Sequence, residues 1–236
     1  RRPQSYLRET LWSDAPVSHI VVTPPVPSFP LNPDKADWSV WDFPDVVDHW
    51  NFPGYEGKKM TVSVYSNCEQ VELFLNGESL GKQENTADKK NTLVWEVPYA
   101  HGILKAVSYN KGGEVGTATL ESAGKVEKIR LSADRTEIVA DGNDLSYITL
   151  ELVDSKGIRN QLAEELVEFS IEGDATIEGV GNANPMSIES FVANSRKTWR
   201  GSNLLVVRSG KSSGRIIVTA KVKALPVASI TITQKK

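Results

Sequence analysis

The sequence predicts an all-β fold, made of two tandem antiparallel β-sandwich domains of the immunoglobulin-like type after a Pro-rich connector. The first observation is a strict alternation in which Val71, Leu73 and Leu75 share one apolar face, as expected for a half-buried strand. The second is the following Asn76-Gly77, the dipeptide that best tolerates a type I′ turn. The third is a series of short strand-like runs, separated by turn residues and without amphipathic helices between them.

Composition excludes several classes of protein. The 236 residues are 39% apolar and 24% charged, which is ordinary for a globular protein. A net charge of −3 gives no basic field, so no nucleic-acid partner is expected. We also expect no membrane span, because no run of eighteen apolar residues exists. Cys68 is the single cysteine and is expected to be a small buried side chain in a strand.

Residues 1–46 do not resemble a domain. The chain opens without an initiator Met or a signal sequence, so a fragment of a longer protein is expected. Residues 5–12 could form a short helix with Leu7 and Leu11 on one side. Five prolines then fall within residues 24–33, which predicts an extended, semi-rigid connector.

Residues 47–122 are predicted to form the first sandwich. Strands are expected at residues 60–65, 71–75, 93–97, 103–109 and 115–120, and residues 84–91 are expected to form an exposed loop.

Residues 123–236 are predicted to form the second sandwich, which has no Cys–Trp–Cys pattern. Strands are expected at residues 126–133, 147–153, 167–171, 175–180, 204–207, 216–221 and 227–232. Residues 181–197 lack periodicity and are rich in Asn and Ser, which predicts a long loop where any function of this domain would lie.

Tryptophans are the candidate binding residues. Trp38, Trp41, Trp50 and Trp199 could contact carbohydrate, because an aromatic face can cover the C–H face of a sugar ring. The alternative is burial against the first sandwich or a neighbouring domain, since aromatic residues dominate cores and interfaces. Trp95 shares a strand face with Leu93 and Val97 and is expected in the core.

The sequence carries no recognisable catalytic or metal-binding motif. Its three histidines lack metal-ligand spacing, so neither a metal nor another cofactor is expected. No nucleophile elbow is present, and no catalytic residue is predicted. Asp141 and Asp144 flank Gly142-Asn143, which indicates a turn rather than a calcium loop because a bidentate acid at the required distance is missing.

Two stretches carry a resemblance to a known family. His49-Trp50-Asn51-Phe52-Pro53-Gly54-Tyr55-Glu56-Gly57-Lys58, followed by the alternating strand and hairpin through Gly81, resembles the region after the catalytic barrel in bacterial family 2 glycoside hydrolases of the β-galactosidase-like group. Residues 140–145, 179–185 and 201–207 are similar to the terminal domain of the same enzymes. The family usually has a glycine where this chain has Ala183. Residues 1–12 are similar to the last helix of the barrel.

The resemblance implies a non-catalytic accessory region. In the family both catalytic carboxylates lie on barrel strands upstream of the residues present here, so the parent protein would be a retaining glycoside hydrolase and this piece would not be catalytic. The implied partner is the catalytic barrel of the same polypeptide, with carbohydrate as a second candidate partner. The resemblance also implies a periplasmic or extracellular location. Two alternatives remain open: an independent carbohydrate-binding module, and a structural immunoglobulin-like spacer of a surface protein.

Overall fold

A computed structural model describes residues 3–28 and 44–236 and confirms the all-β fold. The chain divides into two compact units, Arg1–Ser122 and Ala123–Lys236. Within the described ranges the helical elements are α1 (Gln4–Trp12) and a 3-10 turn at Ala87–Lys89. None of the helices in this part of the chain is long and apolar enough to cross a membrane.

The first unit is a sandwich of a three-stranded and a four-stranded sheet. Its strands are β1 (Ser18–Val22), β2 (Lys59–Ser66), β3 (Gln70–Leu75), β4 (Glu78–Glu84), β5 (Thr92–Pro98), β6 (Ile103–Asn110) and β7 (Gly113–Glu121). The sheets have the orders β1-β2-β5 and β4-β3-β6-β7, and neighbouring strands are antiparallel. Leu93, Trp95 and Val97 point inward from β5 as predicted, because alternate side chains of a strand face one side.

The predicted hairpin is confirmed. Leu75 pairs with Glu78, which leaves Asn76-Gly77 as a two-residue loop between β3 and β4. The φ angles are +51° at Asn76 and +88° at Gly77, as a type I′ turn requires.

Strand β1 was not predicted, because it lies within residues 1–46, the expected connector. Its five residues pair with β2, from Ser18 opposite Ser66 to Val22 opposite Val62, and Ile20 and Val22 are buried in the first core. A five-residue strand with three apolar residues carries too little periodicity to be distinguished from a connector by sequence. The first sandwich therefore begins well before residue 47.

Helix α1 packs on this sandwich through its N-terminal half. Tyr6 and Leu7 contact a small cluster that includes Val21, and the Tyr6 ring stacks on His19 with 4.2 Å between ring centroids. The C-terminal end of the helix instead leaves Leu11 and Trp12 exposed.

Cys68 is buried as expected, but it lies in the bend between β2 and β3 and not in a strand. Its N–H donates to the Ser66 hydroxyl at 3.1 Å, and its thiol lies 3.8 Å from Asn67 Oδ1. Side-chain hydrogen bonds of this kind stabilise a bend that interrupts a ladder.

The second unit is a sandwich of a four-stranded and a five-stranded sheet. Its strands are β8 (Lys128–Ala133), β9 (Glu137–Val139), β10 (Leu145–Val153), β11 (Leu166–Glu172), β12 (Ala175–Gly181), β13 (Ser195–Lys197), β14 (Ser202–Ser209), β15 (Gly214–Val222) and β16 (Ala228–Lys235). The sheets have the orders β12-β14-β10-β8 and β13-β11-β15-β16-β9, with β16 and β9 parallel and the other pairs antiparallel. The three-residue strands β9 and β13 were not predicted, because they are too short to show alternation.

Candidate functional site

Trp50, one of the four candidate tryptophans, is a core residue of the first unit. Its side chain has 0% exposure, and its Nε1–H donates to the Ala100 carbonyl at 2.8 Å. Phe52 and Tyr99 pack edge-on against its ring, with centroids 6.0 and 5.0 Å away. Edge-to-face packing of this kind stabilises cores. A fully covered ring offers no face to a sugar. The burial of Trp50 therefore agrees with the alternative that this tryptophan packs in the first sandwich.

Trp38 and Trp41 lie outside the described residues, so their proposed contact with carbohydrate stays a prediction.

Trp199 occupies a tight hairpin between β13 and β14. Its backbone exchanges two hydrogen bonds with Ser202, at 3.1 and 3.2 Å, around Arg200-Gly201. The ring is half-buried, and the Arg200 guanidinium lies 4.7 Å from a ring centroid. Trp199 and Trp50 belong to different units, and the contact with carbohydrate predicted for Trp199 stays a prediction.

The predicted long loop of the second unit is held from inside by a buried arginine. Arg196 in β13 has 0% exposure. Its Nη1 donates to the carbonyl oxygens of Val180 and Glu189, at 3.1 and 3.2 Å, and its Nη2 donates to Ser187 Oγ at 3.1 Å. Val180 belongs to β12, an edge strand of the opposite sheet. The guanidinium therefore joins the edges of the two sheets and fixes the loop, which we define as residues 182–194.

Backbone hydrogen bonds fix the same loop at further points. The N–H of Val180 donates to the Phe191 carbonyl, and the N–H of Phe169 in β11 donates to the Asn194 carbonyl, both at 2.8 Å. Near the start of the loop, Asn182 Nδ2 donates to the Lys197 carbonyl at 2.9 Å. The loop is thus tied to β12 of one sheet and to β11 and β13 of the other, so its conformation is well specified despite its length.

The charged residue of the loop, Glu189, is engaged by its own neighbours. Its carboxylate accepts hydrogen bonds from the Lys197 N–H at 3.0 Å and from Ser187 Oγ at 2.9 Å. The Lys197 N–H is the main cause that holds the pKa of Glu189 below its ordinary value, and the Ser187 hydroxyl and the Arg196 charge add to the effect. Glu189 is therefore ionised at neutral pH and serves the loop structure.

The loop presents large apolar side chains to solvent. Met186 is 78% exposed, Val192 80% and Phe191 62%, and Ile188 is fully exposed. The sequence predicted this segment as the place for function on the basis of its Asn and Ser residues, and its exposed apolar residues were not predicted. The available signal was that residues 182–194 contain one charged residue, in a chain that is 24% charged.

The predicted turn at Asp141 and Asp144 is confirmed. Asp141 Oδ1 accepts the N–H groups of Asn143 and Asp144 at 2.8 and 2.9 Å, and those bonds hold the pKa of Asp141 below its ordinary value. Asp144 in turn accepts the Val139 N–H at 2.8 Å and a bond from Arg135 Nη2 at 2.9 Å. In the described ranges no group of three or more acidic, His or Cys side chains could hold a metal ion.

Two family models match the chain. The model for glycoside hydrolase family 2 C-terminal domain 5 matches residues 129–231, in the second unit. A model for a domain of unknown function, DUF4982, matches residues 57–116, in the first unit.

Three known proteins similar to this chain are much longer than it is. The solved structure of a glycosyl hydrolase family 2 member from Bacteroides cellulosilyticus is 95% identical with a TM-score of 0.93, over 99% of this chain and 30% of that one. Beta-galactosidase BoGH2A from Bacteroides ovatus is 32% identical over 86% of this chain and 24% of its own length. A beta-glucuronidase from Formosa agariphila is 30% identical over 84% of this chain and 20% of its own length. The chain thus spans less than a third of each relative. Sequence matches in both units and the shared fold show that the chain belongs to glycoside hydrolase family 2, as β-sandwich domains of its C-terminal region.

Proposed function

We propose that this chain is a non-catalytic accessory region that supports the catalytic barrel of a β-galactosidase-like family 2 enzyme and helps to shape the entrance for substrate. The supporting observation is how little of a longer relative this chain covers. It matches 30% of the length of a family 2 member with 95% identity, so the greater part of that protein lies outside the matched region. Exposed apolar side chains at the end of α1, Leu11 and Trp12, are the kind of surface that a neighbouring domain would cover.

The ionisation of the carboxylates supports a non-catalytic role. Retaining glycosidases need an acid/base whose pKa is raised and a nucleophilic carboxylate about 5 Å from it. Among the described residues, every carboxylate with a shifted pKa is shifted downward: Asp88, Asp141, Asp144, Asp154, Asp174 and Glu189. Hydrogen bonds to these carboxylates hold local structure and leave them poor proton donors at neutral pH.

The substrate of the longer enzyme is part of the proposal. The relatives carry the names of a beta-galactosidase and a beta-glucuronidase, so a β-linked galactoside is the first substrate to test and a β-glucuronide the second. We also propose a periplasmic or extracellular location, which fractionation of bacteria that express the longer protein would test.

Deletion of residues 123–236 from the longer protein tests the accessory role. We expect a lower melting temperature of the catalytic domain, and a change in KM for aryl β-galactosides if the region shapes the entrance. Unchanged melting temperature, kcat and KM would overturn the proposal and favour a structural spacer.

A carbohydrate-binding module is the second candidate, because Trp199 is partly exposed beside Arg200. Titration of tryptophan fluorescence with galactosides and polysaccharides tests it. A saturable change that Trp199→Ala abolishes, without loss of fold, would establish binding.

A further inference from the structure

The loop of residues 182–194 has the features of a preformed docking element. We propose that its four exposed apolar side chains, Met186, Ile188, Phe191 and Val192, insert into an apolar hollow on the catalytic domain of the same polypeptide. The inference rests on the proposed accessory function and names the surface through which the second unit performs it.

The loop is already ordered before it meets a partner. Arg196 donates to the Glu189 carbonyl and the Ser187 hydroxyl of the loop and to the Val180 carbonyl of β12. The backbone of Phe191 and Asn194 is bonded to β12 and β11. Association normally costs free energy for ordering loops and side chains, and a preorganised loop avoids much of that cost. A loop kept only as a solvent-exposed connection would not need a buried guanidinium to hold its shape.

The composition of the loop is that of an interface centre. Interface centres are depleted in charged residues and enriched in aromatic residues and Met. The single charged residue of the loop, Glu189, is bonded to Lys197 and Ser187, so no free charge lies among the apolar side chains. A cluster of large exposed apolar side chains marks an interaction site more often than a solvated surface.

The chemistry of the loop side chains favours a protein rather than a sugar as the occupant. The Arg196 guanidinium lies 4.2 Å from the Phe191 ring centroid and covers one face of that ring. The other three side chains are aliphatic or thioether groups, which provide no flat ring and no hydrogen-bonding group stronger than the weakly accepting Met186 sulfur. The greater part of the 95% identical protein lies outside the region that this chain covers, and it supplies the protein surface.

The two methionines of the chain provide a direct test. Met186 is 78% exposed, whereas Met60 is 2% exposed in the first core. Hydrogen peroxide converts accessible methionine to the sulfoxide, which mass spectrometry of peptides quantifies. We expect Met186 to be oxidised at least ~10-fold more slowly in the longer protein than in this 236-residue chain, with Met60 slow in both. Equal rates for Met186 in the two proteins would overturn the inference.

Variants test the occupant. Ile188→Asp with Val192→Asp in the longer protein should restore fast oxidation of Met186, whereas Val227→Asp, at another exposed valine of the same unit, should not. Protection of Met186 that appears in this chain alone as its concentration rises, with a dimer in sedimentation, would assign the loop to a second copy and overturn the inference. Protection that requires added oligosaccharide would overturn it in favour of a sugar.

The outcomes separate this inference from the proposed function. Suppose that deletion of residues 123–236 lowers the melting temperature of the longer protein, while Met186 reacts freely with peroxide in the intact longer protein. The accessory function then stands and the docking loop is wrong. If the deletion changes neither the melting temperature nor the kinetics, and Met186 of the intact longer protein reacts freely, the accessory function and the docking loop are both wrong.

Discussion

Two tight hairpins of this chain have similar turns with two positive φ angles. One is anchored to the neighbouring chain through the first residue of its turn and the other through the second. The Asn76-Gly77 turn has φ angles of +51° and +88°, and the Arg200-Gly201 turn has +52° and +68°. In the first turn the asparagine is the anchor: Asn76 Oδ1 accepts the Ile103 N–H at 2.8 Å, and Asn76 Nδ2 donates to the His101 carbonyl at 3.2 Å. Space around Gly77 is open.

In the second turn the glycine is the anchor. The N–H of Gly201 donates to the Ala163 carbonyl at 3.0 Å, and its own carbonyl accepts the Leu152 N–H at 2.9 Å. A Cβ at this position would lie 2.2 Å from the Asn160 carbonyl oxygen. The φ requirement of a turn is therefore a local property, whereas the cost of changing its glycine depends on the neighbouring chain.

The largest expected effect is that of Gly201→Ala compared with Gly77→Ala. We expect Gly201→Ala to lower the free energy of unfolding by about 3 kcal/mol, because overpacking against backbone adds to the strain of positive φ. Gly77→Ala should cost only the strain, about 1 kcal/mol. Urea unfolding of the two variants measures both values. Equal losses would show that the contact with Asn160 does not matter.

The segment that packs against the Arg200-Gly201 hairpin, residues 156–160, is expected to lose stability in acid. Asp154 precedes the 156–160 segment that meets Gly201, and its carboxylate accepts N–H groups of Gly124, Lys156 and Ile158 at 2.7, 3.0 and 2.8 Å. Burial alone would raise the pKa of Asp154, but these backbone bonds together hold it below its ordinary value of 3.8.

Because the pKa of Asp154 is lower in the folded state than in the unfolded chain, its carboxylate stabilises the fold at pH values above 3.8. This contribution is lost as the pH falls below 3.8 and through the folded pKa. We expect Asp154→Asn to cost about 2 kcal/mol at pH 7, since charged hydrogen bonds are lost. Thermal unfolding from pH 7 to pH 2.5 should show the difference between wild type and variant shrinking in acid. A constant difference would contradict this role.

A smaller effect separates the first residues of the two turns. We expect Asn76→Ala to cost about 1.5 kcal/mol, because it removes two hydrogen bonds and a residue that tolerates positive φ. Arg200→Ala removes only a side chain stacked near Trp199, so its cost should be about 0.5 kcal/mol. Urea unfolding gives both values, and the reverse order would contradict the assignment of anchors.

The smallest effect concerns Ala183, which has a φ of +60° without either kind of anchor. Its side chain is exposed at the start of the 182–194 loop. We expect Ala183→Gly to raise the free energy of unfolding by up to about 0.5 kcal/mol, since relief of strain exceeds the extra entropy of glycine in the unfolded chain. Calorimetry would detect the rise in melting temperature, and a fall would mean that Ala183 is not strained.

Sequence reasoning found the regular strands and the residues with a local signature. The 71–82 hairpin and the alternation in β5 follow from side-chain period and turn chemistry, which a few neighbouring residues specify. Strands β1, β9 and β13 were missed, because strands of five or three residues are stabilised by the partner they pair with rather than by their own pattern.

The candidate site was predicted only in outline. Residues 181–197 were selected as the functional loop, yet the burial of Arg196 could not be read from the sequence. A guanidinium is buried only where acceptors surround it, and those acceptors come from β12 and from the loop itself. Burial of Trp50, likewise, depends on Phe52, Tyr99 and the Ala100 carbonyl meeting around it.

By itself the sequence determined the all-β class, the two-sandwich order and the Asn76-Gly77 hairpin, because alternation and turn preference act over a few residues along the backbone. Only the tertiary structure decided that Gly201 has no room for a side chain, that Arg196 closes the edge of the second sandwich, and that four apolar side chains of the 182–194 loop face outward. Each of these depends on atoms distant in sequence, such as the Asn160 carbonyl oxygen, which only folding brings within reach.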